Sequence, residues 1–297
     1  SHGPLTTASD IASELVEAAE ATGDVGLRIN ARATVADAAY NIGDFRAVVE
    51  HTFPGIALDR ERARLDPTYA NSDDAGLMCR IWGSWSLARM GYQPRAEEMA
   101  EEALRLGLAH DSLLIRVEAP MYAAAFYGQN RMMDRTREIN ESARALAAGL
   151  DYRMWAALAD MRRGWVDACE GDAAGIALLK RGIEDWRATG SSVAAPAFMG
   201  LLAEGCIGVG DVTTGLAAVE EGLTGGEGTG CKHNEAELYR LRGDLPSLRD
   251  GEAAPRQAAA AYRSPMGTAR PQHAKASELR AAAGQGQQAR DDGPAAA

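Results

Sequence analysis

The sequence predicts an all-α protein built as a row of helical hairpins. Two neighbouring segments carry the clearest signal, because each contains a helix, a Gly-Asp turn and a second helix. The turns Gly171-Asp172 and Gly210-Asp211 lie 210 − 171 = 39 residues apart, and a fixed period in this range is typical of helical-hairpin solenoids. Between Met154 and Glu170, strong helix formers predominate and apolar residues recur at three- and four-residue steps.

Each residue of these turns has its own role. Gly171 can adopt the left-handed conformation that ends a helix, and Asp172 can accept hydrogen bonds from the free N–H groups of the next helix. Gly164 lies inside the preceding helix, where glycine costs about 1 kcal/mol relative to alanine. We therefore expect the partner helix to approach the backbone closely at Gly164.

The same pattern extends over most of the chain and predicts about six hairpins without a domain boundary. Their turns are expected at Gly43-Asp44, Gly91, Gln129-Asn130, Gly171, Gly210 and Asp250-Gly251, giving steps of 48, 39, 41, 39 and 40 residues. In chain order, the predicted elements are a first helix at 8–22, the helix pairs 27–42 with 45–58, 76–90 with 94–108, 112–128 with 132–149, 152–170 with 173–190, 191–209 with 212–223 and 235–248 with 253–262, and a capping helix at 274–283. A single domain over 8–283 follows from this arrangement.

Several local features qualify the pattern. The third turn lacks a glycine, and Asn130 is expected to take the left-handed conformation there. Prolines predict a kink or early stop at Pro54, a bend at Pro120 and a shortened helix at Pro246. The non-helical segments are expected to be a tag remnant and tail at 1–7, a charged surface connector at 59–74, a Gly-rich flexible loop at 224–234 and a disordered tail at 284–297.

Composition excludes some classes of partner. The net charge of −11 and the pI of about 5.0 argue against direct contact with nucleic acid. The sequence has no run long and apolar enough to span a membrane and no secretory start, so no membrane association and a cytoplasmic location are expected. The four cysteines are far apart in sequence and predict free thiols in a reducing compartment, with no metal site and no cofactor.

The repeat resembles the tetratricopeptide repeat (TPR). Small residues Gly164 and Ala203 fall at its position 8, and Gly171 and Gly210 fall at its turn position 15, although the period exceeds the usual ~34 residues. This resemblance implies a right-handed superhelical solenoid of about six TPR-like hairpins with a ~39–40-residue period. The segment from Gly164 to Leu245 is further similar to the C-terminal array of large bacterial signalling ATPases, namely adenylate/guanylate-cyclase-like proteins and maltose-regulator-type transcription activators.

The resemblance also implies which residues face a ligand, because the first helices of TPR pairs line a concave groove. The family's groove positions correspond here to Tyr40, Asn41, Trp85, Arg89, Tyr127, Trp165, Glu204 and Arg240. Tyr, Trp and Arg are the residue types enriched at binding hot spots. Aromatic residues at helical spacing also pack between repeats, and Trp82, Trp155 and Trp186 are assigned to that core.

Four functions are compatible with the sequence. The leading interpretation is a non-enzymatic interaction or regulatory module of a bacterial signalling or transcription-regulatory protein, which binds a protein or peptide in its groove. The alternative is a small-molecule sensor that holds an inducer inside the superhelix, where Trp85 and Trp165 would stack on the ligand. An enzyme is disfavoured because the chain has no G-x-x-x-x-G-K-[ST] loop, no H-E-x-x-H spacing and its histidines are scattered. A scaffold that assembles end to end is the fourth interpretation.

Overall fold

The computed structural model describes residues 4–65, 74–148, 153–191 and 194–250, together with Lys275 and Leu279. Every regular element in these ranges is an α-helix, which confirms the predicted all-α class. The helices are α1 (Pro4–Thr22), α2 (Val25–Ile42), α3 (Phe45–Leu65), α4 (Ala75–Arg89), α5 (Gln93–Leu108), α6 (Leu113–Gln129), α7 (Met133–Ala147), α8 (Arg153–Cys169), α9 (Ala173–Ala188), α10 (Ala195–Val209), α11 (Val212–Thr229) and α12 (Glu235–Asp250). The predicted helix at 253–262 and the tail at 284–297 lie outside the described residues.

The helices pack in chain order as hairpins. The pairs α2–α3, α4–α5, α6–α7, α8–α9 and α10–α11 each form one hairpin, and α1 packs on α2. The first helices of the pairs also contact one another in sequence, from α2 through α4, α6, α8 and α10 to α12. We call these six helices the inner row. The second helix of each pair contacts its partner and the first helix of the next pair, an arrangement compatible with an α-solenoid.

The turn between the two helices of each hairpin contains a residue in the left-handed conformation. Gly43, Gly91, Gly171 and Gly210 have φ values of 83°, 91°, 96° and 74°. The third turn differs from the prediction, because Asn130 has φ −95° and the left-handed residue is Arg131, with φ 64°. The left-handed residues of the four intra-hairpin turns from Gly91 to Gly210 are therefore separated by 131 − 91 = 40, 171 − 131 = 40 and 210 − 171 = 39 positions.

Close packing at Gly164 is confirmed. A Cβ atom on Gly164 would lie 2.6 Å from the carbonyl oxygen of Gly175 and 2.6 Å from the backbone nitrogen of Leu179, both on α9. Gly175 has the reciprocal relation to α8, where its Cβ would lie 2.6 Å from the nitrogen of Ala168. The absence of side chains at these two positions lets α8 and α9 pack backbone against backbone. This contact fixes the orientation of α8.

Several helices extend further than predicted. Helix α1 begins at Pro4, so residues 4–7 are helical and do not belong to a tail. Helix α3 continues through Pro54 to Leu65, and its charged residues at 59–65 are not a connector, because Asp59 pairs with buried Arg80 at 2.6 Å and Arg60 pairs with Glu102 at 2.7 Å. Helix α11 continues to Thr229 through glycines predicted as a loop, and among them Gly226 is buried, with a Cβ position 2.9 Å from the carbonyl oxygen of Cys231. Helix α12 includes Pro246. In α3 and α11, tertiary contacts outweigh the local signal.

The two ends of the inner row meet. The backbone N–H groups of Lys232 and His233, in the turn before α12, donate hydrogen bonds of 2.8 and 3.3 Å to the carbonyl oxygen of Asn41 at the end of α2. The ring of His233 lies 5.0 Å from the ring of Tyr40, and Arg89 of α4 donates to Asn234 at 3.4 Å. The row therefore curls until its last described helix approaches its first, and the space inside it is enclosed on this side.

Candidate functional site

A cavity of about 290 Å³ lies inside the curled row. It is bounded by one face of each inner-row helix, by Trp186 of α9 and by the turn before α12. Its lining residues are Tyr40, Asn41, Trp82, Trp85, Arg89, Met121, Tyr122, Ala125, Gly128, Gln129, Arg131, Met154, Trp155, Leu158, Arg162, Trp165, Trp186, Ser191, Ala194, Ala197, Phe198, Gly200, Leu201, Glu204, His233, Asn234 and Glu237. The volume is at the lower end of the range for small-molecule sites.

Aromatic rings form most of the cavity wall. All five tryptophans of the chain line it. A series of ring contacts runs along one side, with centroid separations of 5.2 Å from Tyr40 to Trp82, 5.8 Å from Trp82 to Tyr122 and 6.1 Å from Tyr122 to Trp155. Tilted and edge-to-face pairs at these distances are favourable aromatic geometries. The rings are therefore held in place by one another, and their free faces and edges are available to a flat or apolar ligand.

The lining residues recur at fixed positions relative to the turns. Six residues before the left-handed residues Gly91, Arg131, Gly171 and Gly210 stand Trp85, Ala125, Trp165 and Glu204, and all four line the cavity. Nine residues before the same turns stand Trp82, Tyr122, Arg162 and Leu201, which also line it. Because residues three apart share a face of an α-helix, the cavity wall is one continuous stripe repeated on α4, α6, α8 and α10.

One side of the cavity is charged and internally paired. Arg131 forms ion pairs with Glu204 of α10 and, at 3.2 Å, with Glu237 of α12. Arg240 pairs with Glu237 at 2.7 Å and with Asp244, and it lies 3.8 Å from Glu204. Trp165 donates its indole N–H to Glu204 at 2.9 Å. This network ties the turn after α6 to α8, α10 and α12 through side chains.

Arg131 has a strained backbone at this site. Its φ of 64° is the only positive value at a non-glycine position among the described residues, and the equivalent positions in the other turns are glycines. A residue with a side chain costs roughly 1–2 kcal/mol in this conformation. Such strain is concentrated at functional sites, and here it places the guanidinium between two carboxylates of the cavity wall.

Two further arginines line the cavity without a carboxylate partner among the described residues. Arg162 is 8 % exposed and Arg89 is 6 % exposed. The Nε atom of each is buried without a hydrogen-bond partner, although Arg89 also donates to Asn234. Burial lowers the pKa of Arg162 to about 10, because removal from water disfavours the charged form. The guanidinium of Arg162 remains charged at neutral pH and lacks compensation.

The Cys231–His233 contact is the arrangement most similar to a nucleophile with its base. Sγ of Cys231 lies 3.3 Å from Nδ1 of His233. Burial raises the pKa of Cys231 to about 12, and burial together with the charge of Arg89 lowers the pKa of His233 to about 3. Both groups are therefore neutral near pH 7, whereas a reactive pair requires a thiolate. The contact is most simply part of the packing between α2 and the turn before α12.

The structure brings together most of the residues selected from the sequence. Tyr40, Asn41, Trp85, Arg89, Trp165 and Glu204 line one cavity. Arg240 stands behind the wall, paired with Glu237. Tyr127 lies elsewhere, because it is buried in the cluster between α4, α5, α6 and α7 and its hydroxyl donates to Glu101 of α5.

The misplacement of Tyr127 follows from the third turn. Once Arg131 rather than Asn130 is taken as the turn residue, the groove positions move by one residue to Ala125, Gly128 and Gln129, and all three line the cavity. Sequence reasoning also missed Trp82, Trp155, Trp186, Tyr122, Arg131 and Arg162. The signal that identifies several of them is the stripe nine residues before each turn, which becomes visible once the left-handed residues are known.

Other types of site find no support within the described ranges. No three His, Cys, Asp or Glu side chains there are grouped so that they could hold a metal ion. None of the described helices combines the length and apolar character needed to cross a bilayer. Scans of the chain against protein-family models and against curated protein sequences find no match.

Proposed function

We propose that this chain is a non-enzymatic sensor module of the TPR type that binds a small organic molecule inside its curled row of helices. The single observation that carries the proposal is that all five tryptophans, from three helices of two different hairpins, line one partly enclosed cavity. Aromatic residues placed only to fill space between repeats would be distributed over several interfaces. Convergent aromatic walls with a few oriented polar groups are typical of ligand sites.

The finer fold assignment is part of the proposal. Left-handed turn residues 39 or 40 positions apart and the helix-by-helix contacts of the inner row support a right-handed TPR-like superhelix. The resemblance to the arrays of bacterial signalling ATPases supports a regulatory role, in which the module senses a metabolite for a larger protein. The four free cysteines support a reducing, cytoplasmic location.

The partly enclosed cavity favours a small molecule over a peptide. An α-helical ligand is about 10 Å wide and requires an open groove, whereas the contact of Lys232 and His233 with Asn41 closes this side of the row. A volume of about 290 Å³ suits a compact organic ligand. A protein partner would accordingly bind another surface, or bind after the row has opened.

Thermal-shift screening of the purified chain tests the proposal. Sugars, nucleotides, amino acids and organic acids are screened as separate classes, and a ligand at about 100 times its Kd should raise Tm by about 5 °C for a domain of this size. Binding should also change the emission of the cavity tryptophans. Because Ala197 lines the cavity, Ala197→Leu should abolish both signals. Ala145→Leu, on an exposed face of α7, should leave both intact.

Two results would contradict the proposal. One is that no class of compound shifts Tm. The other is that a hit binds Ala197→Leu as tightly as the unchanged chain, which would place the ligand outside the cavity.

A further inference from the structure

Arg162 is the charged residue that the cavity leaves without compensation. It projects from the middle of α8, it lines the cavity, and only 8 % of its surface is exposed. Its Nε is buried without a hydrogen-bond partner, and no ion pair or ring contact involves it among the described residues. A buried guanidinium in this state is costly to the fold. A role in binding an anion would account for it.

The carboxylates of the cavity wall are already neutralised. Glu204 and Glu237 are the two acidic residues that line the cavity, and both pair with Arg131 and Arg240. The lining residues carry three arginines against two glutamates, a formal charge of 3 − 2 = +1, although the whole chain has a net charge of −11. The interior of the row therefore attracts an anion despite the acidic surface.

The position of Arg162 indicates an anion with a single charge. Arg162 stands nine residues before its turn, whereas Arg89 stands two residues before its own turn and donates to Asn234. Seven residues correspond to about 10 Å along a helix axis, so the two guanidiniums do not converge on one head group. A phosphate monoester carries a charge of about −1.5 to −2 and would be only partly neutralised. A carboxylate matches one guanidinium in charge and in bidentate geometry.

We propose that the cavity binds a small organic carboxylate, whose head group pairs with Arg162 and whose flat or apolar body lies against the tryptophans. The inference rests on the proposed function and names its ligand class. On the face of α8 that bears Arg162, the neighbouring lining residues are Leu158 and Trp165, one turn away on either side. An apolar group that follows the carboxylate therefore meets apolar surface in both directions along the helix.

Matched acids and amides test this ligand class. The probes are indole-3-acetate and octanoate, their primary amides, and phenyl phosphate, and Kd is measured by tryptophan fluorescence and calorimetry. The acids should bind at least tenfold more tightly than their amides and more tightly than phenyl phosphate. Arg162→Met should reduce the preference for acid over amide to less than twofold, and Arg162→Lys should retain part of it. Arg163→Met is the matched control, because Arg163 is the next residue but lies on the exposed face of α8.

The possible outcomes separate this inference from the proposed function. If amides bind as tightly as acids, or if Arg162→Met keeps the preference for acids, the cavity binds ligands but the carboxylate assignment is wrong. If phenyl phosphate binds more tightly than either acid, the head group is a phosphate and the assignment is likewise wrong. If none of the five probes binds, the carboxylate assignment is wrong, and the proposed function is lost only if the thermal-shift screen also finds no ligand.

A second measurement needs no ligand. Because Arg162 is uncompensated, Arg162→Met should unfold at the same or a higher urea concentration than the unchanged chain. A lower midpoint would show that Arg162 stabilises the fold and would overturn its assignment to the ligand.

Discussion

The close packing of α8 on α9 allows a sharp test of the fold through Gly164→Ala. In most helices, this substitution stabilises by up to about 1 kcal/mol, because alanine is the better helix former. Here the added Cβ would lie 2.6 Å from two backbone atoms of α9, whereas ordinary contacts begin near 3.4 Å. The helices must therefore separate by about 3.4 − 2.6 = 0.8 Å. Neither clashing atom belongs to a side chain that could rotate away.

The expected cost follows from this separation. A gap of 0.5–1 Å loses roughly a quarter to a half of the dispersion energy of the contacts it opens, and overpacking in cores typically costs about 1–3 kcal/mol. After the gain in helix propensity is subtracted, we expect Gly164→Ala to lower the free energy of unfolding by about 2 kcal/mol. Trp165, the next residue, should move with α8 and weaken its 2.9 Å hydrogen bond to Glu204.

Urea denaturation followed by tryptophan fluorescence measures this effect, and Gly225→Ala is the matched control. Gly225 also lies within a helix, α11, but nothing lies within 4 Å of its added Cβ. It should gain about 0.5–1 kcal/mol, so the two variants should differ by about 3 kcal/mol. If both variants gain stability equally, α8 and α9 are not packed backbone against backbone and the reasoning is wrong.

Three further predictions concern charged groups at or near the cavity. Arg131→Gly relieves roughly 1 kcal/mol of backbone strain but removes the ion pairs that Arg131 makes with Glu204 and Glu237. It should therefore lower the free energy of unfolding, measured in urea, by about 1 kcal/mol. A gain in stability would show that these ion pairs do not stabilise the fold. Burial raises the pKa of Glu118 to about 7, so its neutral form favours folding below pH 4.5 and that contribution is lost as the pH rises through 7. Glu118→Gln should therefore raise the free energy of unfolding at pH 8 by about 2–3 kcal/mol, seen as a higher Tm. At pH 4.5, it should leave Tm unchanged. His233 has a pKa of about 3 in the fold, so the unfolded chain binds this proton first and stability is lost as the pH falls below 6.5. The difference in unfolding free energy between wild type and His233→Gln should therefore shrink by about 2–3 kcal/mol between pH 7 and pH 4.5. A difference that stays constant over this range would contradict the burial of His233 in its neutral form.

The order and class of the elements could be predicted because their signals are local. Gly171-Asp172 and Gly210-Asp211 end one helix and begin the next, and Asp172 and Asp211 do accept hydrogen bonds from the backbone of the following helix. The close approach at Gly164 could be anticipated because a glycine inside a helix requires a compensating contact. Each of these inferences needs only the residues of one hairpin.

The errors arise where a distant contact overrides the local preference. Asn130 is the better candidate for a left-handed turn, yet Arg131 takes that conformation, and its bonds reach Glu204 and Glu237, 73 and 106 residues further along the chain. The assignment of Tyr127 to the groove failed for the same reason, since it depended on the position of that turn. No periodicity within one hairpin contains this information.

The repeat pattern could not predict the curl of the inner row either. A period fixes how one hairpin packs on the next, but the total curvature depends on small rotations that accumulate over all hairpins. The contact between the Asn41 carbonyl and the turn before α12 is the result of that accumulation. It converts the expected open groove into a partly enclosed cavity. Trp82 and Trp155 pack in the inter-repeat core as expected and also form part of the wall of a site.

The same residues close the row and line the cavity, and this overlap couples binding to shape. The cavity is lined at one end of the row by Tyr40 and Asn41 of α2, and at the other by His233 of the turn before α12 and Glu237 of α12. A ligand that touches both ends gains contacts only while they are together. The difference between its binding free energies for the closed and the open arrangement is then the free energy available to hold the row closed. A sensor needs such a link, because binding that left the two ends unaffected would carry no signal to the rest of a regulatory protein.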